Sequence, residues 1–180
     1  MPLYGSSAEY ALHCLLFLVP LPEGQALSTG DLASAQGVSP SLVAKLFTRL
    51  QQAGLVRAQE GVRGGFSLAR PAESITMLEV VDAAEGRKTL FDCKEIRGKC
   101  LLFGGCAPDW ATRGLCDINA AMIAAERAMR AELGGRTLAD LARRVAAKMD
   151  PDFAEKSAQW LGERASRRTR PERQAEGAAR

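Results

Sequence analysis

Apolar residues recur along most of this 180-residue chain at spacings of three and four, the period of an amphipathic helix. The pattern predicts a first helix over Ser6–Val19, a helix within "PSLVAKLFTRLQQAGL" and a long helix over Asp117–Leu133. "TMLEVVDAAEG" and "RTLADLARRVAAKM" are also predicted to be helical. Pro151 is expected to interrupt the second of these helices, although "DFAEKSAQWLGERA" after it can also continue as helix. Abundant alanine and leucine, with 6% aromatic residues, agree with a mainly α protein.

Turn chemistry places two short helices next to each other in the first third of the chain. Ser28, with Asp31 three positions later, can cap a second helix. Gly37 suits a positive φ, and Pro40 suits the first turn of a third helix that Ser39 caps. Two helices joined by a four-residue turn have the geometry of a helix-turn-helix.

The stretch that follows has the period of a β-hairpin. Leu55–Ala58 and Phe66–Ala69 are two short alternating runs, and the tip between them is rich in glycine and arginine. Such a hairpin after a helix-turn-helix is called a wing. The predicted fold class is therefore mainly α, a winged helix-turn-helix with a two-stranded β wing and a long C-terminal dimerisation helix.

Composition shifts divide the chain into four predicted parts. Residues 1–90 form the winged helix-turn-helix, 91–116 a cysteine-rich sensor loop, and 117–149 the dimerisation helices. Residues 150–180 form a C-terminal extension. Disorder is expected from about residue 165, because the final stretch has five arginines, two glutamates and almost nothing apolar.

Size and charge limit the classes of function. An apolar content of 47% over this length supports one domain, and a formal net charge of +3 permits a nucleic-acid partner. The apolar first helix lacks a basic lead-in and is too short to cross a membrane. These features predict a cytoplasmic protein without a membrane partner, where clustered cysteines bind metal or sense redox state.

The third helix has the surface of a recognition helix. Such a helix needs small or polar residues at its N-terminus to approach base edges, and cations for phosphates and guanines. An ordinary surface helix is also polar on its exposed face, so this pattern alone does not distinguish a recognition helix from a surface helix. The candidate DNA-binding residues on this face are Ser39, Ser41, Lys45 and Arg49.

The wing favours DNA binding. Arg57 and Arg63 flank a tip whose Gly61, Gly64 and Gly65 allow the backbone to approach another molecule closely. An arginine at an exposed hairpin tip can enter a minor groove or hold phosphates. The stretch matches neither nucleotide-phosphate loop motif.

Four of the five cysteines lie in the loop between the predicted domains. Their spacing contains no C-x-x-C pair, which argues against a zinc ribbon or a thioredoxin-type redox pair. Wide, irregular gaps suit an iron–sulfur cluster, and the lysines and arginines of the loop would offset its negative charge. The candidate ligands are Cys93, Cys100, Cys106 and Cys116.

The first helix contains a second candidate pair. Glu9 and His13 are four residues apart, so both lie on one helical face and can reach a common metal. A lone histidine on an apolar helix is more often a packed, hydrogen-bonded residue. The neighbouring Cys14 lies on another face and is predicted to belong to the core.

These pieces, in this order, resemble the IscR/NsrR/RirA-type winged-helix transcription regulators, also called the Rrf-two family. The resemblance runs from Ala8 to about Met149 and includes "AEYALH", "SPSLVAKLFTRLQQAGLV", "GVRGGFSLARP", "ITMLEVVDAAEG" and "TLADL". It implies a homodimer that binds a palindromic operator in double-stranded DNA. It also implies a role as a repressor that senses iron, redox state or nitric oxide.

The resemblance also implies a ligand set. Members usually show three loop cysteines, and Cys93 and Cys116 are similar to the first and third. The loop of this chain is longer than in the best-known members and contains one extra cysteine, so the middle ligand is either Cys100 or Cys106. We prefer Cys100. One redox-sensing branch uses glutamate and histidine four apart on the partner's first helix, which Glu9 and His13 match. That match favours a [2Fe-2S] over a [4Fe-4S] cluster.

Two other classes of binding protein are compatible with the residues. A metal-free regulator would sense oxidants through a disulfide among the loop cysteines, and an adaptor would dock on a metabolic enzyme. An enzyme is disfavoured, because the sequence contains no nucleophile motif and no cofactor fingerprint.

Overall fold

The computed structural model describes residues 2–59 and 64–166. It is mostly helical, with two strands that form one small antiparallel sheet. The elements are α1 Ser6–Leu16, α2 Thr29–Gln36, α3 Pro40–Gln52, β1 Val56–Gln59, β2 Gly65–Leu68, α4 Met77–Glu85, α5 Asp109–Thr112, α6 Asp117–Gly134, α7 Leu138–Ala146 and α8 Pro151–Ser166.

The helix-turn-helix forms as the turn chemistry predicts. The Ser28 hydroxyl accepts a 3.0 Å hydrogen bond from the Asp31 backbone N–H, and the Asp31 carboxylate accepts one from the Ser28 N–H at 3.1 Å. Gly37 ends α2 with a φ of 64°. The expected Ser39 cap is wrong in detail, because its hydroxyl bonds to the Ser41 hydroxyl at 2.8 Å instead of a backbone N–H.

One apolar core joins the N-terminal helices to α7. Leu15, Phe47 and Val80 are fully buried in it, as is Leu138 at the start of α7. The Leu138 N–H donates to the Ile75 carbonyl at 2.8 Å, so the chain returns after α6 to the helix-turn-helix unit. The helix α1 ends three residues earlier than predicted, because tight turns replace helical hydrogen bonds before Pro20.

The wing is tied to the start of α2. Register pairs Val56 with Leu68 and Gln59 with Gly65, and Leu27 forms a bridge with Phe66 on the far side of β2. The Phe66 N–H donates to the Leu27 carbonyl at 2.7 Å. The bridge therefore sits at the end of the hairpin nearest the tip. The tip residues 60–63, with the predicted DNA contact of Arg63, lie outside the described residues.

The long helix α6 packs by one face only. Arg130 donates two hydrogen bonds to the Asp82 carboxylate of α4, at 3.1 and 2.7 Å, while no residue of α6 is buried. No helix in the described ranges 2–59 and 64–166 is long and apolar enough to span a bilayer.

The C-terminal extension contains a helix that docks on the helix-turn-helix unit. In α8, Leu161 and Ala165 are buried, and the Trp160 ring meets the Phe17 ring at 6.1 Å between centroids. The predicted disorder from about residue 165 concerns mainly residues 167–180, which lie outside the described residues.

Candidate nucleic-acid interface and sensor loop

The start of α3 presents a small polar surface with one cation. Buried Val43, Leu46 and Phe47 fix the inner face of the helix, which leaves the opposite face to solvent. Ser41 and Lys45 are exposed on that face, one turn apart. Lys45 makes no hydrogen bond or ion pair with any residue that the structure describes, so its ammonium faces solvent.

Two of the predicted arginines also have contacts within the chain. Arg49 is exposed in part, and its Nη1 donates to the Ala84 carbonyl at 2.6 Å, near the C-terminal end of α4. Arg57 is exposed on β1, and its Nε donates to the Ser67 hydroxyl at 3.2 Å. Arg49 therefore ties α3 to α4, in addition to any contact with DNA.

The segment from 91 to 116 is an extended loop with short helical turns. All five cysteines of the chain are free thiols. Cys93 and Cys116 are half-buried, whereas Cys100 and Cys106 are exposed. Burial raises the pKa of the Cys14 thiol to about 11, so this core cysteine is not a reactive thiol.

Arg97 organises this loop. Its guanidinium donates to both oxygens of the Glu95 carboxylate, at 2.6 and 2.9 Å, and to the Gly114 carbonyl at 2.9 Å. The pKa of Arg97 is raised, first by the hydrogen bond to Glu95 and then by the nearby Cys116 and Cys93. Arg97 therefore lies within electrostatic range of both half-buried thiols, which are far apart in sequence.

A strained residue accompanies this arrangement. Glu95 has a φ of 46°, in the left-handed region that residues other than glycine rarely adopt. Its paired hydrogen bonds with Arg97 hold it there, because such backbone conformations persist only where surrounding contacts over-determine them. This ion pair therefore fixes the backbone of the loop at Glu95.

The predicted ligands do not meet within one chain. Among the residues that the structure describes, no three His, Cys, Asp or Glu side chains are placed to hold a metal ion. Glu9 and His13 are both exposed on α1, one turn apart as predicted. His13 also lines an apolar groove of about 530 Å³ between α1, α7 and α8.

A family model described as "Iron-dependent Transcriptional regulator" matches residues 4–144 of the chain. The chain belongs to the Rrf2 family. It is therefore a transcriptional regulator and not an enzyme. The Rrf2 match ends before α8 begins.

Curated relatives of this Rrf2 protein are HTH-type transcriptional regulators. One from Mycobacterium tuberculosis (Rv1287) is 34% identical over 138 residues, which cover 77% of this chain and 80% of the relative. Another, YffB of Lactococcus lactis, is also 34% identical over 138 residues, covering 77% of this chain and 85% of the relative.

Solved structures confirm the winged-helix fold. CymR, the global cysteine regulator of Bacillus subtilis, has a TM-score of 0.62 at 21% identity, covering 83% of this chain and all of CymR. IscR of T. potens has a TM-score of 0.59 at 20% identity, covering 84% of this chain and 94% of IscR. At these identities, the likeness shows the fold alone.

Sequence reasoning missed two features of this Rrf2 protein. It counted Arg97 only as one of several loop cations, and the spacing of Glu95 and Arg97 was the available signal for their pairing. It also left open whether the chain after Pro151 is helical, although Trp160 and Leu161 are apolar residues that a solvated segment does not need.

Proposed function

We propose that this chain is a homodimeric repressor that binds a palindromic operator and senses iron, redox state or nitric oxide. Support for the DNA half comes from α3, which presents Ser41 and Lys45 from a helix-turn-helix beside a wing. Small polar residues permit close approach to the major groove, and the ammonium group suits phosphates or guanine edges.

Support for the homodimer comes from α6. One face contacts α4 through Arg130, whereas an apolar stripe lies about a quarter turn away, and we call it the α6 stripe. Ile118 is 68% exposed in this stripe, and none of the residues that the structure describes covers it. Packing two such helices around a two-fold axis would bury both stripes and place two α3 helices on successive turns of the duplex. The α6 stripe consists of Ile118, Met122, Ala125 and Met129.

Support for a metal sensor comes from the donor set of the loop. Cys93 and Cys116 both contribute to the raised pKa of Arg97, whose positive charge suits thiolates and the negative charge of an iron–sulfur cluster. Cys93, Cys116 and Cys100, with Cys106 as the other candidate, would hold such a cluster. Glu9 and His13 of a second subunit would complete the set and favour [2Fe-2S] over [4Fe-4S]. A bound cluster supplies a centre whose charge and ligation change with oxidants, nitric oxide or iron supply.

The two ends of the cysteine loop are attached to the helices that position the dimer interface and the recognition helix. Cys116 is the N-cap residue of α6, and its carbonyl accepts the Ala120 N–H at 2.8 Å. Cys93 follows α4, the helix to which Arg49 of the recognition helix is tied. Binding or loss of a cluster at these two thiols would therefore affect the start of α6 and the position of α4. Because Arg49 ties α3 to α4, the position of the recognition helix would change as well. A difference in operator affinity between the two states would make this a switch.

A second candidate is a metal-free thiol sensor. It is supported by the exposure of Cys100 and Cys106, which oxidants can reach, and by the lack of a three-ligand set among the residues that the structure describes. A disulfide among the loop cysteines would then replace the cluster.

Two measurements test these proposals. Purification without oxygen from iron-replete cells should yield coloured protein with bound iron and sulfide, and colourless, iron-free protein would favour the thiol sensor. Lys45→Ala should weaken binding to a promoter fragment at fixed salt, whereas Lys156→Ala on α8 removes an exposed lysine outside the helix-turn-helix and should not. Equal affinities for the two variants would exclude the proposed role of Lys45.

A further inference from the structure

The apolar groove beside α8 has the size of a small-molecule site. Its volume is about 530 Å³, and its walls come from α1 and the turn after it, the end of α2, α7 and α8. Pockets that bind small molecules usually measure about 300–1,000 Å³. The Rrf2 match ends at residue 144, so α8 adds a wall from outside the matched part of the chain.

Small side chains keep this groove open. Ala142 and Ala146 line it from successive turns of α7, and Ala154 and Ala158 line it from successive turns of α8. A larger apolar side chain at any of these positions would occupy part of the space. The two helices therefore face the groove with backbone and methyl groups and leave room for another molecule.

Contacts elsewhere hold α8 in place. The Trp160 ring meets the Phe17 ring, and the Arg164 guanidinium lies over the other side chain of this cluster, at 4.1 Å from the Trp160 ring centroid. The Arg164 Nε is also 3.7 Å from a carboxylate oxygen of Asp31 in the first turn of α2, and Ala165 is fully buried. These contacts fix α8 on α1 and α2 without a molecule in the groove, so the groove is preformed.

The lining favours an uncharged ligand with aromatic rings. Among the described residues, none that lines the groove carries a carboxylate, an ammonium or a guanidinium group. Moving a charged group from water into such surroundings is costly when no partner awaits it. Phe17 and Phe153 provide aromatic rings, and Met149 provides a polarisable thioether, all of which pack well against flat apolar groups.

Three polar side chains at the groove offer hydrogen-bonding groups. His13, Gln36 and Ser157 line it, and their side chains make no hydrogen bond with any residue that the structure describes. A few polar groups among apolar walls give a pocket its orientation and specificity. A ligand with one or two donors or acceptors would therefore be held in one orientation.

We propose that this groove binds an uncharged aromatic small molecule that carries one or two hydrogen-bonding groups. The bound molecule would lie against the helix-turn-helix, because Ala35 and Gln36 at the end of α2 are part of the wall. No residue of the cysteine loop 91–116 lines the groove, so the site is distinct from that loop. The inference thus adds a second ligand site to the regulator and goes beyond the proposed function.

The test uses the full chain and two fluorescent probes with the same ring system. N-phenylnaphthylamine is uncharged and emits more strongly in apolar surroundings, and anilinonaphthalene sulfonate is its anionic counterpart. The uncharged probe should bind at one site per chain, and the anion should bind at least about 10-fold more weakly. Equal affinities would overturn the ligand class, and a lack of saturable binding of the uncharged probe would overturn the site.

Leucine variants locate the bound probe. Ala146→Leu and Ala158→Leu enlarge exposed alanines on two different walls, so each fills part of the groove without displacing a buried side chain. Each should weaken binding of the uncharged probe at least about 10-fold, since overpacking costs about 1–3 kcal/mol. Ala124→Leu on α6 should leave probe binding unchanged. Circular dichroism should show the same helix content in all three variants, and parent affinity in either groove variant would overturn the location.

Two further outcomes separate this inference from other readings. If saturating probe dissociates a dimer in sedimentation velocity, a second copy occupies the groove and the inference fails. If the probe does not bind while Lys45→Ala still weakens promoter binding, the inference fails and the proposed function stands. A chain that binds the probe as expected but binds no promoter fragment would overturn the proposed function alone.

Discussion

Replacing Ile118 with glutamate tests whether the α6 stripe is the dimer interface. Full burial of an isoleucine side chain is worth about 1.5–3 kcal/mol, and 68% of Ile118 is exposed in the single chain. Burying the exposed part of Ile118 against a partner would therefore stabilise the dimer by about 1–2 kcal/mol per subunit. Because the two subunits contribute equally in a two-fold dimer, the total is about 2–4 kcal/mol. Ile118→Glu should then raise the dissociation constant of the dimer about 30- to 1000-fold. The cost of burying two carboxylates adds to this loss.

Sedimentation velocity over a series of protein concentrations measures this change. Ala124→Glu is the matched control, because Ala124 is exposed on α6 but lies on a different face from the stripe. Circular dichroism of both variants should show the same helix content as the parent chain. A dimer of unchanged affinity in Ile118→Glu would refute the assignment of this interface, and a parent chain that remains monomeric would refute the dimer itself.

Three further predictions concern stability and the wing. Phe47→Ala should lower the free energy of unfolding by about 3–5 kcal/mol in urea titration, because Phe47 is fully buried and packs edge-on against Phe66 at 5.0 Å. Gly65→Ala should lower affinity for duplex DNA in anisotropy titration, because its methyl group would meet the Leu27 backbone and displace the wing. The pKa of Glu85 is lowered, first by its hydrogen bond to Lys88, so its stabilising contribution is present above the unfolded pKa and lost as pH falls through the folded one. Glu85→Gln should therefore reduce the loss of unfolding free energy between pH 7 and pH 4.

Each of these predictions has a control within the chain. Phe47→Leu should lose less stability than Phe47→Ala, since it leaves a smaller cavity. Gly30→Ala should leave DNA binding unchanged, because its added methyl would have 3.6 Å to the nearest side-chain atom. Exposed Glu155, changed to glutamine, should leave the pH dependence of unfolding as in the parent chain. A control that behaves like its partner variant would contradict the corresponding argument.

Much of the fold follows from short stretches of sequence. Helix periodicity places α3 and α6 within a few residues, and the Ser28–Asp31 capping box and Gly37 are recognisable from residues three to nine positions apart. The two strands of the wing are each displaced by one residue from their predicted limits. The family can likewise be recognised from the order of short motifs along the chain, because each motif is a local sequence pattern.

The candidate site could be predicted by residue type but not by arrangement. The crowding of cysteines between 93 and 116 is visible in the sequence, and so is the cation-bearing face of α3. That Cys93 and Cys116 both raise the pKa of Arg97, and that Arg49 is tied to α4, depends on where separate elements come together. Residue spacing contains no such information.

The sequence by itself therefore determined the helices other than α5 and α8, the hairpin, the capping of α2 and the chemistry available in the loop. Only the tertiary structure decided that α7 returns to the Ile75 backbone, and that α8 ends beside the first turn of α2, with Arg164 near Asp31. The physical reason is the distance along the chain over which each effect acts. Propensity, capping and periodicity act over one or two turns of chain, whereas these contacts join residues over sixty positions apart and form because the apolar faces of the helices must be buried together.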